Sequence, residues 1–403
     1  MATGTPAPQD LFSRFQAGMF DEKSIISVPT GFQAYFGNPM NGSETVFSPD
    51  ANQVDIDIIR GNERISALVP RGGISRSLGA NQKNLRSEQF SSFSRKFPLA
   101  EEEGDITAAV LLNRVAGENP YVPKTQIERL RHHAVKIHQE SIRKLGRLFE
   151  VLAAQSVLTG KQDAILGTSN ADLQYDFRRN SAHISTVSTS WSGGSADILG
   201  DIDAACAKGR ANGHVMMNML LAGSTAMTSI VNDVTVAALA DNRRFTYVQL
   251  GPNNPIPPKY QRFVDGGFIA QGVLNTPAGN QVWLFTYLDV YTNAAGSPVK
   301  YLGDDLVVIS STEARCDRYF GPPESLPMIP ARAELYRQFF GFDPGAIPAP
   351  VKMRAAGGVI DPAMFYSDAY VTPDWKKVSI RTQAAPIFAT TMTDAFVVLD
   401  TEP

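Results

Sequence analysis

The feature that most constrains the fold of this chain is one long stretch with helical periodicity. It starts near Pro123, which suits a first helical turn, and stops at Gly160, a candidate C-cap. Its stripe at spacings of three and four residues is apolar except at two positions, and consists of Ile127, Leu130, Ala134, Ile137, Ser141, Leu145, Leu148, Leu152 and Gln155. A helix of about 37 residues is about 55 Å long, more than the width of a compact domain. We therefore expect a spine helix along an elongated molecule.

The other face of this predicted helix is basic. Its charged residues are Lys124, Arg129, Arg131, Lys136, Arg143, Lys144 and Arg147, against Glu128, Glu140 and Glu150. His132, His133 and His138 lie on the same helix, but the HExxH motif of a helical zinc site is missing. We interpret these histidines as part of a solvated basic face rather than as a metal site.

A long hairpin is predicted before the helix. Val54–Ile58 alternates apolar and acidic residues, as a half-exposed strand does, and phenylalanines at positions 90, 93 and 97 mark a return strand. Residues 60–96 include eight basic residues and only two acidic ones. An acidic run follows, made of Glu101, Glu102, Glu103 and Asp105. Opposite charge blocks on one projecting element suit contacts between like subunits, and a solvated loop of uneven charge is the alternative.

The rest of the chain is a mixed α/β pattern between two irregular segments. The first fifty residues mix turn formers with aromatic residues, which indicates either an arm lying on a neighbouring subunit or a segment packed on its own domain. Helices are predicted over 197–210 and from 224, and strands over 215–222, 245–250, 267–274, 282–290 and 306–310. Residues 321–351 contain seven prolines and are typical of a linker or wrapping segment. Strands over 378–381 and 388–399 close the chain.

Composition excludes several classes of function. Charged residues make up 19% of the 403 residues and the net charge is -3, so the chain as a whole is no basic nucleic-acid binder. Cys206 and Cys316 cannot form a disulfide framework or a cysteine zinc site, which favours folding in a reducing, intracellular place. Neither a leader pattern at the N-terminus nor an apolar stretch of spanning length is present, so we expect no membrane contact.

No catalytic constellation stands out. GxSxG, the phosphate-binding GxxxxGK[ST] loop and GxGxxG are all missing. The carboxylate pairs Asp304-Asp305 and Asp201/Asp203 suit turn and capping roles. We therefore predict that the protein is not an enzyme and that it has no catalytic residue, cofactor or metal site.

The order of these elements resembles a known family, the E-type major capsid proteins of tailed, lambda-like bacteriophages. The likeness is carried by Val54-Asp55-Ile56-Asp57 with Ile65–Gly72 in the hairpin, by Leu152–Lys161 at the helix end, by Leu284–Tyr291 with Tyr301–Ile309 in the paired strands, and by Pro386 with Asp394–Val398 at the close. Each motif is weak alone, but their order and spacing span nearly the whole chain.

The resemblance implies an α+β fold, the tailed-phage major capsid fold. Mapped onto this sequence it predicts an N-terminal arm over 1–45 and an extended β-hairpin loop over 46–118. The peripheral domain with the long spine helix is expected over 119–190 and 321–403, and the inserted axial domain over 191–320.

The resemblance also implies a function. The chain is expected to self-assemble into hexamers and pentamers of an icosahedral shell that encloses double-stranded DNA, built in the host bacterial cytoplasm and located in the virion capsid. Expected partners are itself, a separate scaffolding protein, a portal, a cement or decoration protein, and the DNA through non-specific contacts. Some relatives join subunits by a Lys–Asn isopeptide; Lys83 lies in the corresponding segment, but no partner for it can be named.

Two sets of site residues follow from this mapping. We expect Lys136, Arg143 and Arg147 to face the interior and the packaged DNA, or alternatively to pair with a neighbour's acidic run. The expected inter-subunit contacts are Arg76, Lys83 and Arg86 of the hairpin tip, Glu101, Glu102 and Glu103 of the acidic run, and Arg243 and Arg244 of an axial loop.

Three alternatives remain at this point. An encapsulin-like bacterial compartment shell has the same fold, a metal-dependent hydrolase would use the helix histidines, and a tail-tube protein is another virion component. The long projecting loop favours the phage capsid over the encapsulin, no ligand set supports the hydrolase, and tail tubes usually lack a helix of this length.

Overall fold

The structure is a computed structural model, and it describes residues 30–47, 53–61, 88–107, 126–163, 174–236, 245–247, 256–293, 296–321, 365–371 and 377–402. The predicted hairpin tip, Pro123, the predicted axial loop around Arg243 and most of the proline-rich segment lie outside these residues. No helix within the described ranges has the length and apolar character needed to span a membrane.

The predicted spine helix is confirmed as α1, Gln126–Thr159, with 34 residues. At about 1.5 Å per residue it is about 51 Å long. Gly160 follows it with φ of 68°, the left-handed conformation expected of a C-cap. The guanidinium of Arg179 donates hydrogen bonds to the carbonyls of Ser156, Val157 and Leu158, at 3.0, 2.7 and 3.2 Å. Together these contacts satisfy carbonyls that the last helical turn leaves open.

The buried face of α1 differs in part from the predicted stripe. Ala134, Ser141, Leu145 and Leu152 are buried as expected, whereas Ile137 and Leu148 are only half-buried. His138 and Phe149 are buried in their place, and from Phe149 to Ala154 no residue is exposed. Other elements surround this end of the helix, so its burial does not follow a single periodic face.

A seven-stranded mixed sheet forms the centre of the fold. Its strand order is β7, β19, β14, β8, β11, β10 and β9. The strands are β7 Ile184–Thr186, β8 Met219–Ala222, β9 Phe245–Tyr247, β10 Ile269–Asn275, β11 Gln281–Thr286, β14 Leu306–Ser310 and β19 Phe396–Asp400. Since β7 and β19 lie outside 191–320, this sheet unites the predicted axial segment with both flanking segments. The exact domain boundaries stay a prediction.

Helices cover both faces of this sheet, because its central strands are apolar on both sides. Leu220 and Ile309 point to one core, which also contains apolar residues of α2, Ile198–Gly213, and α3, Ser224–Asn232. Met219 and Val308 point to the opposite core, which contains the end of α1 and α4, Pro258–Asp265. Alternate side chains of one strand thus serve two different cores.

The remaining described strands form smaller sheets and pairs. The predicted hairpin is confirmed as β2, Gln53–Gly61, paired antiparallel with β3, Glu88–Lys96. One three-stranded sheet has the order β16, β17, β4, with the bounds Tyr366–Val371, Lys377–Ala384 and Ala100–Thr107. Another has the order β1, β15, β18, with the bounds Thr45–Phe47, Asp317–Phe320 and Pro386–Ala389. Two short pairs complete the described strands, β5 Lys161–Asp163 with β6 Gln174–Asp176 and β12 Val290–Thr292 with β13 Pro298–Lys300.

Two strand predictions each combined parts of two strands. The segment 282–290 contains all of β11 except Gln281 and, separately, the first residue of β12. The segment 388–399 contains parts of β18 and β19, separated by a short 3-10 turn at Thr393–Ala395. In both cases the chain leaves one sheet and joins another, and an apolar run does not reveal that change of partner.

Candidate functional surfaces

Lys136, Arg143 and Arg147 form what we call the basic stripe, and the structure places all three on the exposed side of α1. Their spacings of seven and four residues put them on the same side of the helix. None of the three makes an ion pair within the part of the chain that the structure describes. The stripe therefore offers three exposed positive charges without an ion-pair partner among the described residues.

The acidic run lies beside α1 on β4, and it has partners in its own chain. Lys144 of α1 forms an ion pair with Glu102 at 2.9 Å. Glu101 accepts a hydrogen bond from the side chain of Gln383, and Glu103 lies opposite Arg381 in the pairing of β4 with β17. Part of the acidic run is thus paired or hydrogen-bonded within its own chain. A role of these glutamates between subunits stays a prediction.

The remaining predicted contact residues, Arg76, Lys83, Arg86, Arg243 and Arg244, lie outside the described residues. The structure does describe the base of the hairpin. Ile56 and Ile58 are fully buried in a cluster with Phe177, Tyr319 and Ile387. The base of the loop is thus packed on the body of its own chain.

The prediction of a solvated histidine face is wrong for His138. His132 is exposed and His133 half-buried, but His138 lies on the buried side, where burial lowers its pKa to about 4. The reason is its spacing of four and three residues from the buried Ala134 and Ser141. Among the described residues no group of three His, Cys, Asp or Glu side chains could hold a metal ion.

The carboxylate pairs join elements of the fold. Asp203 accepts hydrogen bonds from Asn280 at 2.7 Å and from the Ala278 amide at 3.2 Å, which ties the β10–β11 turn to α2. Asp304 accepts a hydrogen bond from Ser224 at the start of α3 and forms an ion pair with Lys300 at 2.5 Å. The Lys300 and Ser224 contacts hold the pKa of Asp304 below its usual value.

Sequence reasoning misplaced one charged residue of α1, Glu150. We had assigned it to the polar face, but it is fully buried. Its Oε1 accepts hydrogen bonds from the Phe32 amide at 2.6 Å and the Tyr287 hydroxyl at 2.9 Å. Its Oε2 accepts from the Gln33 amide and from the Gln33 side chain, both at 3.2 Å. A lone charge within the apolar run from 148 to 154 was the signal for burial.

The residues that rest on Glu150 belong to the segment Thr30–Phe36, which we call the arm root. Phe32, Tyr35 and Phe36 are buried, and the Tyr35 hydroxyl lies 2.8 Å from Ser310 Oγ on β14. Part of the predicted arm is thus packed into the core of its own subunit, as the second of the two interpretations of this segment expected.

Comparison with known proteins gives a family match. The family model described as phage major capsid protein E matches residues 50–334. No curated protein matches the sequence significantly.

The chain was also compared with solved structures. The chain is similar to a structure described as a prophage capsid protein of E. coli CFT073, with 16% identity, coverage of 97% of both chains and a TM-score of 0.58. It also matches the mature capsid of bacteriophage PhiM1, with 8% identity, 94% and 89% coverage and a TM-score of 0.40. The SrpI encapsulin of Synechococcus elongatus PCC 7942 matches with 9% identity, 94% and 91% coverage and a TM-score of 0.39. Of these three, the first alone carries the likeness of fold.

The family match covers well over half of the chain, and the likeness of fold extends over nearly all of it. The family match favours the phage capsid over the encapsulin alternative. The protein belongs to the phage major capsid protein E family, and it is a self-associating, shell-forming component of a virion capsid.

Proposed function

We propose that this chain assembles as hexamers and pentamers into the icosahedral shell of a tailed phage and encloses its double-stranded DNA, without an enzymatic activity of its own. The family match over residues 50–334 carries this proposal. A projecting hairpin with a firmly packed base supports it, since such an element can reach a neighbour while its own subunit stays folded. A separate scaffolding protein, a portal and a decoration protein are the proposed partners in the host cytoplasm.

Electron microscopy of the purified full-length protein, expressed alone and with the scaffolding protein of its source, tests the proposal. Closed particles of uniform diameter with hexameric and pentameric units are expected. Monomers or dimers under both conditions, with a hydrolytic activity that depends on an added divalent metal, would favour the enzyme alternative.

We further propose that the basic stripe faces the shell interior. Its three cations are exposed and have no ion-pair partner among the described residues, and packaged DNA is a dense polyanion. Contacts to phosphate are independent of sequence and weaken with salt, so no base recognition is expected.

Chemical labelling tests this placement. An amine reagent attached to a polymer too large to enter intact shells should leave Lys136 unmodified and should modify it once the shells are dissociated. Equal modification of Lys136 in intact and dissociated particles, measured by mass spectrometry, would place the stripe on the outer surface.

A further inference from the structure

The contact between Glu150 and the arm root has no cation in it. The four hydrogen bonds to the carboxylate come from two backbone amides, one side-chain amide and one hydroxyl, all of them neutral. The arm root also covers the carboxylate, since Phe32 is fully buried. Docking of this segment therefore both desolvates Glu150 and supplies three of its four hydrogen bonds.

The titratable groups around Glu150 come from two elements. On α1, Arg147 lies one turn earlier and is exposed. From the stretch between β11 and β14 come Tyr287, Asp289 and Tyr301, and Tyr287 donates a hydrogen bond to Glu150. Burial raises the pKa of Asp289 above its usual value, and burial also keeps both tyrosine hydroxyls protonated. The arm root itself contributes no charged side chain.

These groups differ in whether they can accept a proton. The amides of Phe32 and Gln33 can only donate to Glu150. The Tyr287 hydroxyl can also accept, as can the carbonyl oxygen of the Gln33 side chain if its amide group rotates. A protonated Glu150 therefore has a place for its proton while the arm root stays docked.

We propose that docking of the arm root is linked to protonation of Glu150: the docked arm root favours the neutral carboxyl, and loss of the proton favours release of the arm root. The proton comes from solvent and binds the carboxylate, and the resulting neutral carboxyl donates a hydrogen bond to the Tyr287 oxygen. The proposal concerns the attachment of the arm within one subunit and does not depend on the arrangement of subunits in a shell.

The direction follows from linkage between proton binding and docking. Burial raises the pKa of Glu150 from 4.5 to about 7, and the hydrogen bonds only partly oppose this effect. With the arm root released, the carboxyl regains water and its ordinary pKa. The contribution of Glu150 to docking is then complete below the ordinary pKa, is lost as the pH rises toward 7, and changes the docking equilibrium by about two orders of magnitude.

Hydrogen exchange of the full-length protein tests the proposal. Protection factors of the amides from Phe32 to Phe36, corrected for the intrinsic pH dependence of exchange, should fall by about ten- to a hundredfold between pH 5.5 and 8. Glu150→Gln should remove this dependence on pH. Glu140→Gln, on the exposed side of the same helix, is the matched control and should keep the wild-type profile.

A second pair of variants identifies the titrating group. Tyr287→Phe keeps the ring but removes a hydrogen bond that is stronger to the charged carboxylate than to the neutral carboxyl, so the midpoint of the transition should move to higher pH. Asp289→Asn should keep a transition, because Glu150 is still present. The proposal is overturned if Glu150→Gln retains the pH profile, if Asp289→Asn abolishes it, or if Tyr287→Phe leaves the midpoint unchanged.

Discussion

The two halves of α1 form one continuous helix but differ in the pattern of their buried side chains. From His132 to Leu148 the helix has a single buried face, and its other side is exposed; α1 packs against β4 and β17. From Phe149 to Val157 it is enclosed by the arm root, β5 and β18, and Gln155 alone in this range is less than fully buried. The number of neighbouring layers, and not the sequence period alone, therefore decides which residues a helix buries.

The largest contrast is expected from truncating one side chain in each half. Phe149 packs against the rings of Phe320, Phe365 and Phe388, with centroid distances of 5.7, 5.1 and 5.7 Å. Phe149→Ala should lower the free energy of unfolding by about 3–5 kcal/mol, because it leaves a cavity among these rings. Arg143→Ala, on the exposed side of the first half, should change it by less than about 0.5 kcal/mol. Chemical denaturation of the dissociated subunit measures both, and equal effects would remove the distinction between the halves.

A smaller effect is expected where the enclosed half ends. Arg179→Met keeps much of the side-chain volume but removes the guanidinium from three helix carbonyls, of which Ser156 keeps the Gly160 amide as a donor. We expect a loss of about 2–3 kcal/mol, since these are bonds from a charged donor in a partly buried site. Arg143→Met is the control with the same change of side chain. A stability equal to that of the control would mean that water replaces the guanidinium at this cap.

The smallest effect is expected at the boundary of the exposed half. The Lys144 and Glu102 side chains are 53% and 33% exposed, so solvent screens their ion pair. A double-mutant cycle with Lys144→Ala and Glu102→Ala should give a coupling of at most about 1 kcal/mol. A coupling above 2 kcal/mol would show that this face is more strongly desolvated in the assembled protein than in the subunit.

Sequence reasoning was most successful where one local pattern determines the result. The length of α1, its end at Gly160 and the β2–β3 hairpin each follow from residues close in sequence. It failed at Glu150, because the burial of this residue depends on a segment more than a hundred residues away, and at His138, although its spacing from Ala134 and Ser141 already indicated the buried side. The exposure of Lys136, Arg143 and Arg147 was predictable, but their orientation in a shell depends on other subunits.

We propose that the enclosed half of α1 is packed into the core of its subunit, while the basic stripe on the exposed half faces the interior of a shell. A cryo-electron microscopy reconstruction of particles formed by the full-length protein tests it most directly. We predict a closed shell in which Lys136, Arg143 and Arg147 line the inner surface and Glu150 remains covered by the arm root. Absence of closed particles, or a shell with these three cations on its outer surface, would contradict the account.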